Sequence, residues 1–175
     1  MFGCGGSAVS SGENTSLSSG DLIAMTDQMA TAMATDVRVN QEISTAGPLT
    51  IVCEPVENQM TGEIIPRGQA EAYTARIRDL LSKKAPDRFV FVMNRDEFYD
   101  LRGKELEGVA LGPAPDAVQP KYALHAVFQS LTKEDSGHRS SYYLCVYRLT
   151  DLDNRIELWS GHYEVKKVEV KGFLD

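Results

Sequence analysis

The sequence predicts an α+β fold: a mixed β-sheet with helices packed over it, ending in a C-terminal antiparallel three-stranded meander. Three features carry that expectation. Between residues 21 and 101, segments with helical apolar spacing alternate with short apolar runs. Residues 121–131, 140–149 and 156–168 then read as long strands. The connections between those strands, 132–139 and 150–155, carry turn residues, so the strands pair as antiparallel hairpins.

Two parts follow from composition. Of the first twenty residues eleven are Gly or Ser, and such a stretch buries too little apolar surface to offset its ordering entropy. Residues 1–19 are therefore expected as a flexible tether and 20–175 as a single domain. Ser18 with Asp21 forms a capping box that opens a helix striped by Leu22, Met25, Met29 and Met33, a core-facing pattern. Gly47 and Pro48 break the chain before the apolar run 49–53, a buried strand. Residues 54–65 read as a loop containing Asn58 and Thr61, and Pro66 stands near the next helix start. That helix carries Ala70, Tyr73, Ile77, Leu80 and Leu81, with Asp79 and Lys83 at i,i+4, and stops at Lys83, Lys84 and Pro86. Residues 89–93 form a strand, and Asn94 with Glu97 opens a short helix bearing Phe98 and Leu101. Gly108, Gly112, Pro113, Pro115 and Pro120 make the next segment a loop. The first long strand is apolar on both faces, as suits a central position. On the last, Ile156, Leu158, Ser160, His162 and Glu164 share one face, and Trp159, Gly161, Tyr163 and Val165 the other. Trp159 and Tyr163 are core residues on this pattern and interface anchors only if exposed.

Composition also excludes functions. With 25 acidic against 18 basic residues and a net charge of −7, the chain suits neither nucleic acid nor a polybasic contact with a membrane surface. No G-x-S-x-G, Walker A, H-E-x-x-H or paired C-x-x-C occurs. His125 reads as a hydrogen-bonded interior residue and His138 as a solvated turn residue. His162, two residues from Ser160 on one strand face, imitates a nucleophile and base without a third group. Cys53 and Cys145 are expected as buried free thiols, and could form a disulfide only if their strands are neighbours. Cys4 differs. A cysteine after Gly3, heading a Gly/Ser tether and a folded domain, is what a bacterial lipoprotein looks like once its signal peptide is gone, so Cys4 is the candidate lipidation site. Met1, Phe2 and Gly3 hold neither the charged nor the apolar region of such a peptide.

Several motifs taken in order resemble one family. Leu49-Thr50-Ile51-Val52 followed by Pro55-Val56-Glu57-Asn58-Gln59-Met60-Thr61 is similar to the opening strand and P-x-x-N-x-x-T loop of the penicillin-binding protein activator LpoB family. Arg76-Ile77-Arg78-Asp79-Leu80-Leu81 resembles its second helix, and Phe89-Val90-Phe91-Val92-Met93-Asn94-Arg95 its F-x-V-V-D-R strand. Tyr143-Leu144, Leu149-Thr150-Asp151-Leu152, Leu158-Trp159-Ser160 and Lys166-Lys167 are similar to its closing hairpin. The chain departs from the pattern at Ala126, where a glycine is usual, and at 108–120, where the family has a further helix.

The resemblance implies a fold similar to the N-terminal domain of TolB. It implies a non-enzymatic outer-membrane lipoprotein, facing the periplasm and anchored through Cys4, that needs no cofactor or small-molecule substrate. Its partner would be a bifunctional penicillin-binding protein, a peptidoglycan synthase that it binds and stimulates in cell-wall synthesis. Asn58, Gln59 and Thr61 are the candidate partner contacts, and local capping of their own loop is the competing role for Asn58 and Thr61. Two alternatives stand beside this: a structural or secretion-assembly lipoprotein like CsgG, and a hydrolase using Ser160 or His162.

Overall fold

The computed structural model describes residues 8–11, 15–60, 67–105, 118–135 and 138–170. The first helix, α1 (Ser19–Thr35), begins as expected. The Ser18 hydroxyl accepts the Asp21 N–H at 3.2 Å, and the Asp21 carboxylate accepts the Ser18 N–H at 2.7 Å. Met25, Met29, Ala30 and Met33 are buried, so the methionine stripe is core. A second helix that the apolar pattern did not announce, α2 (Val37–Ala46), follows immediately. Asp36 ends α1 and caps α2, its carboxylate accepting the N–H groups of Arg38 at 2.8 Å and Val39 at 3.1 Å. Gly47 then turns the chain at φ 88°, a backbone region that glycine enters without steric penalty.

The remaining elements are β2 (Leu49–Cys53), β3 (Glu57–Gln59), α3 (Arg67–Lys84), β4 (Phe89–Val92), α4 (Arg95–Glu105), β5 (Tyr122–Asp135), β6 (His138–Asp151) and β7 (Glu157–Val170). Ala8–Ser11 forms β1. Among the described residues the strands make one seven-stranded sheet in the order β1-β7-β6-β5-β2-β4, with β3 also paired to β5. β5, β6 and β7 form the antiparallel meander; all other pairs are parallel. The fold class is therefore the α+β mixed sheet that the sequence predicts.

Three local expectations are corrected. Ala8–Ser11, assigned to the tether, instead lies beside Val165–Val168 of β7. Thr15, also assigned to the tether, is buried, its carbonyl accepting the Tyr143 hydroxyl at 2.9 Å. The loop at 54–65 contains β3, because the chain beyond Pro55 keeps following β5.

Strand order decides where the helices go. The path β2–α3–β4 steps across the sheet one way and β4–α4–β5 steps back. Right-handed crossovers in opposite directions put their helices on opposite faces. Accordingly α1, α2 and α3 cover one face, where Leu49, Ile51, Phe89, Leu124, Phe128, Tyr147 and Trp159 meet Met25, Met29, Ile77 and Leu81 in the core. Arg76 joins two of these helices, its Nε donating to Thr26 Oγ1 at 2.9 Å and its terminal nitrogen to Asp27 at 3.1 Å.

Among the described residues, no helix covers the reverse face over β5 to β7. Tyr122, Leu124, Ala126 and Phe128 point into the core, whereas His125 and Val127 are only half-buried and Leu131 is exposed. Central position thus did not bury both faces of β5. For the same reason His125 is not interior: it lies on the reverse face with its Nε2 3.5 Å from Glu57 Oε2. Ala126, the departure from the family's glycine, sits on the helix-covered side.

Two core details give tests. A Cβ placed on Gly161 would lie 2.5 Å from the Trp159 ring and 3.1 Å from the Met29 sulfur. Trp159 is buried, so its ring can move only by disturbing the packed core around it. Gly161→Ala is therefore expected to cost about 1–3 kcal/mol, read as a lower urea midpoint at unchanged slope. Cys53 and Cys145 are free thiols. β5 stands between their strands, Leu124 opposite Cys53 and Phe128 opposite Cys145, so no bond can span them. Burial pushes both thiols up to about 12. At pH 8 only about one in ten thousand is thiolate, so an aromatic disulfide reagent is expected to leave both unlabelled until the domain unfolds.

Candidate partner interface

The residues proposed from sequence as partner contacts divide. Cys4 and Thr61 lie outside the described residues. Asn58 and Gln59 sit on β3, and Glu57, Asn58 and Gln59 are all exposed. Asn58 Oδ1 accepts the Met60 N–H at 2.9 Å, the local closure that competes with a partner role. Gln59 accepts from Gln129 Nε2 at 2.8 Å and donates to Glu57. These three residues make a polar rim along the edge of β5.

Sequence reading missed a larger feature. On the reverse face of β2 and β4, α4 and residues 118–120 enclose a groove of about 750 Å³. Val52 and Val92 line it from the sheet, Phe98 and Tyr99 from α4, and Val118 and Leu152 from the segments before β5 and after β6. Its apolar lining reaches solvent: Tyr99 is 49%, Val118 64% and Leu152 47% exposed. Met93, also on the lining, is exposed too. Glu54, Asn94, Arg95, Asp96 and Gln119 add polar groups to the lining.

The lining is locally fixed. Asn94 starts α4, its Oδ1 accepting the Asp96 N–H at 3.0 Å and its carbonyl the Phe98 N–H at 2.9 Å. Phe98 and Tyr99 meet edge to face at 5.4 Å, and the Arg95 guanidinium covers the Tyr99 ring at 5.8 Å. Leu152 projects from a tight turn that Asp151 builds, accepting the N–H groups of Asp153 at 2.8 Å and Asn154 at 3.2 Å. The Leu152 N–H donates to the Lys121 carbonyl at 2.8 Å. Lys121 in turn pairs with Glu42 at 3.1 Å, and the Tyr122 hydroxyl donates to the same carboxylate at 2.6 Å. Those bonds from Tyr122 and Lys121 hold Glu42 below the usual carboxylate range, while the same cluster raises Lys121. The Leu149-Thr150-Asp151-Leu152 stretch singled out in the sequence is thus a turn-building unit that presents one apolar side chain.

The groove can seat apolar anchor side chains behind a polar rim, the arrangement of a protein-binding surface. The rest of the reverse face is shallower. A depression of about 400 Å³ over β6 and β7 is lined by Tyr142, Leu144, Val146, Ser160, His162 and Glu164. The Tyr142 hydroxyl donates to the Glu164 carboxylate, which raises the phenol's pKa. Ser160 and His162 are exposed there, and among the described residues neither hydrogen-bonds the other.

Comparison with known proteins adds the family. Three solved structures are similar over most of the chain. The LpoB C-terminal domain from Escherichia coli matches with TM-score 0.45 and 14% identity, covering 83% of this chain and 98% of that one. The LpoB C-terminal domain from Salmonella enterica gives 0.42 and 13%, with the same 83% and 98% coverage. Lipoprotein GNA1162 from Neisseria meningitidis gives 0.43 and 17%, covering 68% of this chain and 83% of that one. Curated proteins give no match. The family model described as peptidoglycan-synthase activator LpoB matches residues 21–165, from the first turn of α1 into β7. The chain belongs to the LpoB family of peptidoglycan-synthase activators, a family of activators rather than of enzymes.

Proposed function

We propose that this protein binds a bifunctional penicillin-binding protein and stimulates its synthesis of peptidoglycan, acting from the periplasmic face of the outer membrane through a lipid on Cys4. Family membership over residues 21–165 supports the reaction that it serves. The observation that carries the docking mode is the groove under α4, whose Met93, Tyr99, Val118 and Leu152 stay exposed. Buried aromatic and aliphatic anchors dominate the energetics of protein interfaces. Asn58 and Gln59, exposed on β3, are proposed to add polar contacts to the same partner, and Thr61 remains a candidate from the sequence alone.

Stimulation then follows from linkage. A bound activator shifts its partner only by as much as it binds the faster conformation more tightly. A tenfold rate gain drawn from a population shift corresponds to about 1.4 kcal/mol of such preference. Titration of the whole chain into the same organism's bifunctional synthases, recording binding and glycan polymerisation together, tests the reading. Saturable binding with faster polymerisation supports it. Binding without acceleration makes the protein a scaffold, and no binding to an active synthase removes the synthase as partner.

A further inference from the structure

We propose that the outer edge of β7 is a strand-acceptor site which the chain's own residues Ala8–Ser11 fill reversibly, so that the N-terminal segment has a docked and a released state. This goes beyond the activator reading and does not depend on it.

The argument begins with the edge. Among the described residues, β7 is paired along one side by β6 over its whole length but along the other only by β1, at Val165–Val168. An edge strand offers a row of unpaired N–H and C=O groups to any extended segment, and strand addition is a recurrent mode of peptide recognition. β1 occupies that row in parallel register, Ala8 opposite Val165 and Ser11 opposite Val168.

Its own pairing is short, only four residues. The contact forms because a separate clamp holds the chain beside it. Lys167 donates to the Ser16 carbonyl at 2.7 Å and pairs with Asp21 at 2.6 Å, with both side chains largely buried. Tyr143 adds its bond to the Thr15 carbonyl. With Thr15 and Ser16 fixed on β6 and β7, β1 lies only a few residues away, and closing so short a loop raises its effective concentration at the edge.

Clamp and strand differ in kind. The clamp is buried and ionic, so it opens with the domain. The strand is a short peripheral pairing, and such elements open at free energies far below that of global unfolding. Released, residues 8–14 can span up to about 25 Å at the extended-chain rise of roughly 3.5 Å per residue, and they are no longer held along β7. The N-terminal segment thus has a short, docked length and a longer, released one.

Hydrogen exchange on the full chain tests this, comparing the native sequence with the double substitution Val9→Pro and Ser10→Pro. One of the two prolines removes a donor facing β7 whichever parity the ladder has. Amides of 165–168 that face β1 are expected to exchange roughly tenfold faster in the variant, with Tm unchanged. A synthetic peptide of residues 5–14 added to the variant is expected to slow them again. Equal exchange in both proteins would overturn the proposal. So would a Tm that falls with the substitution, since β1 would then belong to the cooperative fold. Protection that rises with protein concentration would assign the edge to a second copy instead.

Discussion

Replacing Tyr99 and Leu152 together by alanine is expected to weaken synthase binding by about 30-fold while moving the melting temperature by no more than roughly 2 °C. Both side chains are about half exposed, at 49% and 47%, so their truncation removes little core packing. Both line the groove, Tyr99 from α4 and Leu152 from the turn after β6. Loss of such a pair of contacts typically amounts to about 2 kcal/mol, which sets the fold-change. Isothermal titration against the purified synthase measures it. Asn58→Ala serves as the comparison. Its carboxamide already closes the local turn onto Met60, so its effect on binding is expected below about threefold. If Asn58→Ala weakens binding more than the groove pair does, the docking centre lies on β3 and the groove is peripheral.

The second large effect concerns stability. Asp21→Ala is expected to cost about 3–5 kcal/mol, because it strands the Lys167 ammonium in a site where that side chain is only 6% exposed. It also removes the carboxylate that completes the Ser18 capping box. For a domain of this size the melting temperature should fall by about 10 °C. The double change Asp21→Asn with Lys167→Met should recover most of that loss, since no buried charge is left unpaired. A double variant as unstable as Asp21→Ala would show that packing, not charge, holds the clamp.

The pH dependence has a definite sign. Burial alone raises the Asp21 pKa, but hydrogen bonds from Lys167 and Ser18 outweigh it and hold the carboxyl below its ordinary 3.8. A carboxyl depressed by folding contributes stability that is complete above its unfolded pKa and lost as pH falls through the folded one. The native and Asp21→Ala proteins should therefore differ by a constant amount between pH 6 and 8. Their stabilities should converge only below about pH 4. Thermal melts across that range measure the gap.

Features carried by local chemistry were legible. Ser18 and Asp21 are three residues apart, and their capping box needs nothing beyond helix geometry. The methionine stripe of α1 and the two faces of β7 follow from periods of 3.6 and 2, so Met29 and Trp159 landed in the core as the pattern requires. α2 was missed although its signals were present: Asp36 as cap, Val39 and Ile43 at i,i+4, and Gly47 after the last turn. Its single buried residue, Val39, left too narrow a stripe to outweigh the polar residues around it. β3 was missed for a different reason. Glu57, Asn58 and Gln59 carry no strand pattern, and only the neighbouring β5 makes them one.

By itself, then, the sequence determined the α+β class, most of the helices, the meander and the core methionines. These depend on periodicity, caps and turn residues, all of which act within a dozen positions. Only the tertiary structure decided which sheet face α1, α2 and α3 cover, because that depends on the order β5-β2-β4 and on the hand of two crossovers. The groove is a consequence of the same order, gathering Val52, Val92, Tyr99, Val118 and Leu152 from segments a hundred residues apart. The seating of Ala8–Ser11 on β7 joins the two ends of the described chain. Pairing of that kind has no local signature, since a backbone edge accepts an extended segment whatever its side chains.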